Sequence, residues 1–418
     1  MKFYILARSA SLCVLAVALL TTPAIAEEKA RAVGGKNIVQ GAMTANVAAV
    51  GRVRNPTKID LHGYRADFYV EQVLSGDVSI GNTIIIAWEE LAKERDVRFQ
   101  NEEVVLVILS PLPTQSLWRK RFKKKDRGAR IIASGGEAFV RSPSPGTANI
   151  LQHFLAMTPA MRTAGPGLIR LIDLVAEAET PVAKSALQVL SDHPEKLEKT
   201  TQGARWALAK SIADNTRDEG LRSETLAFIA TVKLAGTRNL VAKIAEAEGP
   251  MQGDAWRALD SLDDGLPDEK IDELLTSPNS ALRSVGASLA RASARERLAS
   301  SVRDDADATV RLSAVERLVT LFGEDSFDDV APALADESIE VGAAAARALG
   351  PIGGSIPEKL RAIADKQPVP ARERAVMALS LAGKEGRIAL KELHLGHEDE
   401  SVRKLAGLGL GIIEGHKH

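Results

Sequence analysis

The 418-residue sequence predicts a multidomain protein in which a small all-β barrel or sandwich precedes an all-α solenoid. A helical motif recurs at a near-constant spacing along the second part, and a fixed period in this range is typical of helical repeat proteins. Short β-branched segments bounded by turn residues fill the first part instead. The two parts also carry opposite net charge. A chain of this length exceeds what one globular core usually spans, which agrees with two or more units.

The clearest copy of the helical motif occupies residues 307–318 and reads DATVRLSAVERL. An aliphatic residue is followed four positions later by a small residue and eight positions later by Leu, so all three lie on one helix face. Eight copies fit this pattern, 28 to 39 residues apart and mostly 30 or 31. Their aliphatic positions are Val182, Leu221, Met251, Leu282, Val310, Val341, Ala371 and Val402.

Each period also contains a second apolar helical stretch, so we expect one repeat to consist of two antiparallel helices. Residues that favour helix N-caps stand three positions before the aliphatic residue in five copies. An Arg directly follows the aliphatic residue in five copies, where it can reach the Asp of an adjacent repeat. We therefore predict a structural ladder between repeats that consists of Arg222, Arg283, Arg311, Arg372 and Arg403 with Asp218, Asp307 and Asp399.

The skeleton D-x-x-V-R-x-x-A-x-x-x-L is similar to that of HEAT repeats, in the short form found in phycobilisome-lyase-like proteins. The resemblance covers residues 150–414. It implies an armadillo-like helical solenoid, a fold that presents a long surface to protein partners. HEAT-repeat hydroxylases hold iron with several His-Glu pairs. This sequence contains only His397-Glu398, which argues against that chemistry.

Residues 1–26 have the features of a secretory signal peptide. Lys2 and Arg8 accompany an apolar stretch, and Ala24 and Ala26 are the small residues of a cleavage site. The apolar stretch is too short to span a bilayer comfortably, and we expect no transmembrane helix in the mature chain. The single cysteine, Cys13, lies in this segment, so the mature chain would have no disulfide. We expect a periplasmic or secreted protein.

Residues 27–145 predict a small β-domain with five or six strands, among them 45–53, 66–74, 83–88 and 104–109. Residues 129–141 are typical of a hairpin that turns at Gly135-Gly136. The order of segments 50–53 and 68–76, followed by the strand after Gly81, resembles netrin-like domains, which are OB-type barrels. That group includes tissue inhibitors of metalloproteinases, which act through an N-terminal cysteine. Because the mature chain would lack cysteine, the resemblance implies the barrel alone.

The remaining boundaries follow from composition and from the repeat pattern. The Ser-Pro stretch 142–146 predicts a linker, 147–180 a helical cap, 181–414 the repeat solenoid and 415–418 a tail. The copy at Val402 finishes near Glu414 without a second helix after it. Its apolar strip, which includes Leu408 and Ile412, is either solvated or a docking edge for self-association or for another protein.

The segment 119–130 is the most strongly charged part of the chain, with eight basic residues and one acid, Asp126. Residues 27–145 carry a net charge of +5, whereas the remainder after the signal carries −8. Trp118 and Phe122 accompany the basic residues, which suits an anionic lipid or polysaccharide. The alternative is a solvated loop. The candidate anion-binding residues are Arg119, Lys120, Arg121, Lys123, Lys124, Lys125, Arg127 and Arg130.

The sequence contains no nucleophile-elbow, zinc-protease or phosphate-loop motif. We interpret His394, His397, His416 and His418 as loop and tail residues rather than as a metal site, and we predict no cofactor. The predicted function is therefore an exported, non-enzymatic scaffold or adaptor that binds a protein along the solenoid. The alternative is an envelope-associated module whose basic β-domain binds an anionic lipid or polymer, with the solenoid as spacer. Nucleic acid is not an expected partner.

Overall fold

The computed structural model describes residues 38–59, 63–89, 99–112, 122, 128–132, 139–234 and 236–415. Contacts divide the chain into two compact units, the first ending at Asp254 and the second beginning at Ala255. The predicted signal segment, with Ala24 and Ala26, lies outside the described residues. Within the described ranges, no helix is long and apolar enough to cross a membrane.

Six strands form one sheet in the first unit. In chain order they are β1 (Val47–Lys58), β2 (Gly63–Gly76), β3 (Thr83–Glu89), β4 (Glu103–Pro111), β5 (Arg130–Ile132) and β6 (Phe139–Arg141). β1 pairs with β2 along one edge and with β4 along the other, while β5 joins β3 to β4. The sheet thereby closes into a five-stranded barrel, to which β6 is added beside β4. The predicted all-β barrel is confirmed.

Side chains alternate across the barrel wall. On β2, Ala66, Phe68 and Val70 are buried, whereas Asp67 and Tyr69 between them are partly exposed, as expected for a strand with one buried face. Strand β4 is different because its residues from Val105 to Leu109 are all fully buried. This burial follows from its position, since β4 pairs with β1 on one side and with β5 and β6 on the other.

The predicted hairpin over residues 129–141 is wrong. Strands β5 and β6 both pair antiparallel with β4, so they run in the same direction and cannot be the two arms of a hairpin. They lie one after the other along the same edge of β4, β5 opposite Leu109–Pro111 and β6 opposite Val105–Val107. The predicted turn residues, Gly135 and Gly136, lie outside the described residues.

The stretch predicted as a linker, 142–146, instead begins a helix that is fixed to the rest of the first unit. Pro145 opens the helix, and the Ser144 hydroxyl accepts a hydrogen bond from the Thr147 N–H. The Ser144 N–H donates to the Glu179 carboxylate at 2.6 Å. Burial alone would raise the pKa of Glu179, but hydrogen bonds from Thr147 and Ser144 outweigh it and hold the pKa below its usual range.

Helices make up the remainder of the first unit and precede the barrel as well. They are α1 (Ile38–Thr44), α2 (Pro145–Ala156), α3 (Pro159–Arg162), α4 (Gly165–Glu177), α5 (Thr180–Ser191), α6 (Gln202–Ala213), α7 (Glu219–Thr231) and α8 (Arg238–Glu246). Helix α2 packs on β2, where Gln152 Nε2 donates to the Val73 carbonyl at 2.8 Å. Helix α1 packs on α5, with the Val39 N–H donating to the Ser185 hydroxyl at 2.7 Å. Helix α2 therefore joins the barrel to the helices that follow it, and α1, which precedes the barrel, packs on the same group of helices.

Helix α9 (Gln252–Leu262) spans the division between the units. The second unit is built from helices, some of which are joined by short 3-10 turns. The helices are α10 (Asp268–Leu275), α11 (Ser280–Leu289), α12 (Arg295–Asp304), α13 (Ala308–Phe322), α14 (Phe327–Val330), α15 (Ile339–Leu349), α16 (Ile356–Lys366), α17 (Ala371–Leu381), α18 (Gly383–Gly396) and α19 (Glu400–Gly415). The motif helices α11, α13, α15, α17 and α19 stack in succession. The predicted helical repeat solenoid is confirmed.

The predicted register of the repeats is also confirmed. Where the motif expects an N-cap, Asp218, Asn279, Asp307, Ser338 and Asp399 each accept a hydrogen bond from a backbone N–H of the following helix. The small position of the motif is buried in every copy of the second unit, where Gly286 lies so close to α10 that an added Cβ would be 2.6 Å from the Leu275 nitrogen. A small residue is therefore required where the paired helices cross.

Replacing Ala314 with Leu should lower the free energy of unfolding by about 1–3 kcal/mol, because extra methylene groups in a well-packed core force side chains and backbone to shift. Ala314 is fully buried at the small position of α13. Glu316→Leu, on the exposed face of the same helix, is the matched control and should change stability by less than about 0.5 kcal/mol. Urea unfolding of both variants measures the difference, and equal midpoints would contradict the assigned register.

Candidate functional site

The repeats of the second unit are joined by arginine side chains. The Arg311 Nε and Nη2 atoms donate to the two carboxylate oxygens of Asp336, at 2.7 and 2.9 Å. The remaining nitrogen, Nη1, donates to the carbonyl oxygens of Asp305 and Ala306 in the loop before α13. Both Arg311 and Asp336 have side chains only 8% exposed. One guanidinium thus fixes its own loop and the start of the next repeat, in the paired geometry that makes Arg–carboxylate bonds strong.

Arg283 repeats this arrangement one copy earlier. It binds both carboxylate oxygens of Asp305, at 2.7 and 2.9 Å, and the carbonyl oxygens of Ser277 and Pro278. The prediction that Asp307 supplies the ladder carboxylate is therefore wrong, because Arg283 binds Asp305, two residues earlier. Asp307 instead caps α13 by accepting from the Thr309 N–H, and its carboxylate also accepts a hydrogen bond from the Ser280 hydroxyl at the start of α11. The ladder carboxylate stands five positions before the next aliphatic residue.

The other predicted ladder residues bind differently. Arg372 reaches Asp399, as predicted, at 3.4 Å. Arg222 donates instead to the Ile212 carbonyl, and Arg403 donates to the carbonyl oxygens of His397 and Glu398. Asp218 caps the Leu221 N–H and lies 3.8 Å from Lys184. Four of these arginines, Arg283, Arg311, Arg372 and Arg403, thus bind the loop before their own helix, and the first three also reach a carboxylate of the next repeat. Arg222 binds the last turn of α6 instead.

Three of the eight copies lack the ladder arginine, and one of them obtains a guanidinium from its neighbour. The position after Val341 is Gly342, and Arg374 of the following helix fills the space that a side chain there would take. Arg374 donates to the carbonyl oxygens of Leu334, Asp336 and Ser338, around the start of α15. Asp336 stands six positions before Gly342, the same separation at which Arg311 binds the Asp305 carbonyl. The loop-binding function is therefore preserved although the residue that performs it has moved.

The ladder shifts the pKa values of its carboxyl groups. Hydrogen bonds from Arg283 hold the pKa of Asp305 below its usual range. Burial opposes ionisation of Asp336, but the hydrogen bonds from Arg311 and from the Ser338 N–H outweigh it, so the pKa of Asp336 is also lowered. The Asp336 carboxylate in turn raises the pKa of Arg311. Both acids are therefore ionised at neutral pH, and their charge stabilises the stacked repeats.

Contacts between the second helices of the repeats show which face each helix turns to its successor. Counted from the aliphatic residue, position 20 of the copy at Val341 is Arg361, which pairs with Glu392 of α18 at 2.7 Å. Position 24 is Asp365, whose carboxylate accepts a hydrogen bond from His397 Nε2 at 2.7 Å. In the copy at Ala371 the same two positions are Lys391 and Leu395 on α18. These two residues therefore occupy the places by which a repeat contacts the next one.

The first helices give the same result. An added Cβ at Gly350, nine positions after Val341, would lie 2.6 Å from the Ala378 carbonyl oxygen of the next helix. The residue nine positions after Val402 is Gly411, which has open space around it. Gly411 lies on one stripe of α19 with Lys404 and Leu408, and all three are exposed. This stripe faces the direction in which another helix would stack.

We define the end surface as the exposed stripe of α18, with Ile388, Lys391, Glu392 and Leu395, together with the α19 stripe Lys404, Leu408 and Gly411. Leu395 is 79% exposed, Leu408 50% and Ile388 48%. The α18 stripe and Gly396 line a shallow depression. The sequence prediction included Leu408 but missed the α18 residues. Counting positions 20 and 24 from Ala371 would have found two of them, Lys391 and Leu395. The side chain of Ile412 lies outside the described residues.

The other candidate sites have little described structure. Of the eight basic residues predicted to bind an anion, Arg130 is described, and its Nη2 lies 2.8 Å from Asp77. The other seven, Arg119, Lys120, Arg121, Lys123, Lys124, Lys125 and Arg127, lie outside the described residues, and the anion site stays a prediction. Within the part of the chain that the structure describes, no group of three or more His, Cys, Asp or Glu residues could hold a metal. His416 and His418 lie beyond that part.

No protein-family model and no curated protein matches this sequence. Solved structures do match. Human deoxyhypusine hydroxylase in complex with glycerol is 15% identical over 61% of this chain and 98% of its own, with a TM-score of 0.28. YibA of Escherichia coli is 15% identical over 65% and 98%, with a TM-score of 0.36. A designed armadillo repeat protein in complex with the peptide (KR)4 is 20% identical over 59% and 99%, with a TM-score of 0.21. The likeness is one of helical repeat fold alone.

Exchanging the two residues of the displaced guanidinium tests its role. Arg374→Ala should destabilise the protein by about 3 kcal/mol, since it leaves buried carbonyl oxygens without a charged donor. Gly342→Arg should also destabilise it, because the new side chain overlaps Arg374. The double variant should recover at least half of the summed loss, since an Arg at 342 takes the place that Arg311 has one copy earlier. Urea unfolding measures all three. Strictly additive losses would contradict the exchange.

Asp336→Asn should lower stability at pH 7 by about 3 kcal/mol, because it leaves Arg311 buried without its counter-charge. The folded pKa of Asp336 is lowered, so its stabilisation is complete above the ordinary Asp pKa of about 3.9 and is lost as the pH falls through the folded value. The variant should therefore depend less on pH below about pH 5 than the wild type does. Glu337→Gln, which is exposed beside the same Arg, is the control and should leave both properties unchanged.

Proposed function

We propose that this protein is a non-enzymatic scaffold of the HEAT-repeat type that binds another protein chain through the end surface of its second unit. The observation that carries the proposal is that Lys391, Leu395 and Gly411 stand at the positions by which the copy at Val341 contacts its successor, and yet are exposed. In the preceding repeat these positions form an Arg–Glu pair, an Asp–His contact and a close helix crossing. The end surface is therefore already shaped to receive helices.

The chemistry of the end surface supports a protein partner. Three large apolar side chains, Ile388, Leu395 and Leu408, are about half exposed or more, and they alternate with the charged groups of Lys391 and Glu392. Apolar groups bordered by charges are typical of protein interfaces, where the apolar part supplies affinity and the charges select the partner. Open space beside Gly411 would let a helix backbone approach closely.

The proposal includes export across a membrane before function. It is supported by the basic start, apolar stretch and small-residue cleavage site of residues 1–26, whose order is that of a secretory signal. The netrin-like character of the barrel is likewise retained as part of the proposal. Neither feature identifies the partner, and the end surface is where the partner should be sought.

Replacing Leu395 with Lys should weaken association at the end surface more than tenfold, because burial of a leucine side chain contributes about 1.5–3 kcal/mol. Ile339→Lys is the matched control, since Ile339 is 56% exposed on α15 and lies outside the end surface. Thermal melting of both variants should match the wild type, as both side chains are exposed. Photo-cross-linking in the native host, with the reactive residue at position 395 or at 339, identifies the bound protein.

The expected result is a discrete cross-linked protein from position 395 and none from position 339. A wild type that gives no cross-linked species from position 395, and no association that Leu395→Lys weakens, would overturn the proposed function.

A further inference from the structure

We propose that the chain bound at the end surface is a second copy of this protein, held by an antiparallel pairing of the two α18 helices about a two-fold axis. This inference rests on the proposed function and names its partner. It follows from the order of residues along the exposed stripe of α18, which is complementary to its own reverse: apolar ends match apolar ends, and Lys391 matches Glu392.

The stripe has an apolar residue at each end and a charged pair at its centre. Ile388, Lys391, Glu392 and Leu395 are spaced as i, i+3, i+4 and i+7, so they share one helix face. When two such helices cross antiparallel about the point between Lys391 and Glu392, Ile388 of one copy meets Leu395 of the other. At the same time Lys391 of each copy meets Glu392 of the other. A two-fold interface requires this kind of self-complementarity.

The charges at the centre favour this arrangement. Glu392 already receives a basic side chain from a neighbouring helix, since Arg361 Nη1 lies 2.7 Å from its Oε2 atom. A carboxylate has two oxygens and accepts several donors, so Lys391 of a second copy can bind Glu392 as well. The pairing would bring together two lysines and two glutamates in alternation. A parallel crossing would place like charges opposite each other instead, which is unfavourable.

The apolar residues supply contact area on both sides of the charges. Leu395 and Ile388 each pass from exposed to buried in the pairing, and the two-fold axis doubles every contact. Gly396 ends α18 without a side chain, and the α19 stripe beside it carries Leu408 and the open Gly411. Helices pack at axis separations of about 8–10 Å, and small residues at the crossing favour the lower values.

Charge reversal distinguishes a second copy from an unrelated partner. Lys391→Glu places four carboxylates at the centre of the pairing, and Glu392→Lys places four ammonium groups there, so each variant alone should be monomeric. Mixing the two variants should restore the dimer, because each acidic helix then meets a basic one. Arg303→Glu, a reversal at an exposed position on α12, is the control and should dimerise like the wild type.

Sedimentation velocity of the full chain measures these states, with thermal melts showing that every variant is folded. The wild type and Arg303→Glu should sediment as dimers, each end-surface variant as a monomer with an association constant at least tenfold lower, and the mixture as a dimer. A monomeric wild type overturns the proposal. So does a dimer that Lys391→Glu leaves intact, or a mixture in which the two monomeric variants fail to pair.

Disulfide trapping tests the antiparallel register independently, in a chain whose only native cysteine, Cys13, is replaced by Ser. The double variant Ile388→Cys, Leu395→Cys should form interchain disulfides on mild oxidation, whereas each single variant should not, since position 388 faces 395 and not itself. A single variant that cross-links as efficiently as the double one overturns the register. A monomeric wild type that cross-links to a different protein from position 395 overturns the second copy and leaves the proposed function standing.

Discussion

The stacked repeats of the second unit depend on one interaction, the guanidinium that binds the loop of its own repeat and the carboxylate of the next. In Arg311 these two tasks are done by different edges of the same planar group, so the position of one repeat fixes that of its successor. The guanidinium fixes the relative position of the repeats, and the buried small residues allow their helices to pack closely where they cross. Removing one partner of such a buried pair leaves an unpaired buried charge. Replacement of either residue alone should therefore lower the stability of the stacked repeats.

The exchange at Gly342 shows what the ladder requires. The loop before α15 needs a guanidinium, and Arg374 provides it from the opposite side. Where that exchange occurs, the residue five positions before the next aliphatic position is Lys366 rather than an Asp. This copy thus lacks both the arginine and the carboxylate five positions before the next aliphatic residue, whereas Arg372 keeps the arginine and reaches Asp399 instead. Loop binding is the constant property, and the interrepeat ion pair is added to it.

The repeat fold could be predicted because it depends on local spacing. The aliphatic, small and Leu positions, the N-caps and the barrel strands all follow from periodicity and capping chemistry within a few residues. The errors concern pairings between distant residues. Asp305 and Asp307 are both reachable from Arg283, and the sequence does not show that a capping N–H from Thr309 occupies the second. Likewise the short strands β5 and β6 both pair with β4 and not with each other, which the local sequence does not show.

The end surface shows the same division between local and distant information. Leu408 was predicted as an exposed apolar residue from the helix that carries it. Lys391 and Leu395 are recognised as contact positions only by comparison with Arg361 and Asp365, thirty residues earlier, which contact the next repeat. A surface that received the opposite end of another copy would continue into a filament, since each added chain would offer the same surface again. Pairing of the end surface with itself uses that surface on both chains at once. The self-complementary order of charges on α18 therefore favours a closed dimer, and a dimer is the assembly that conceals Ile388 and Leu395 without leaving a further copy to bind.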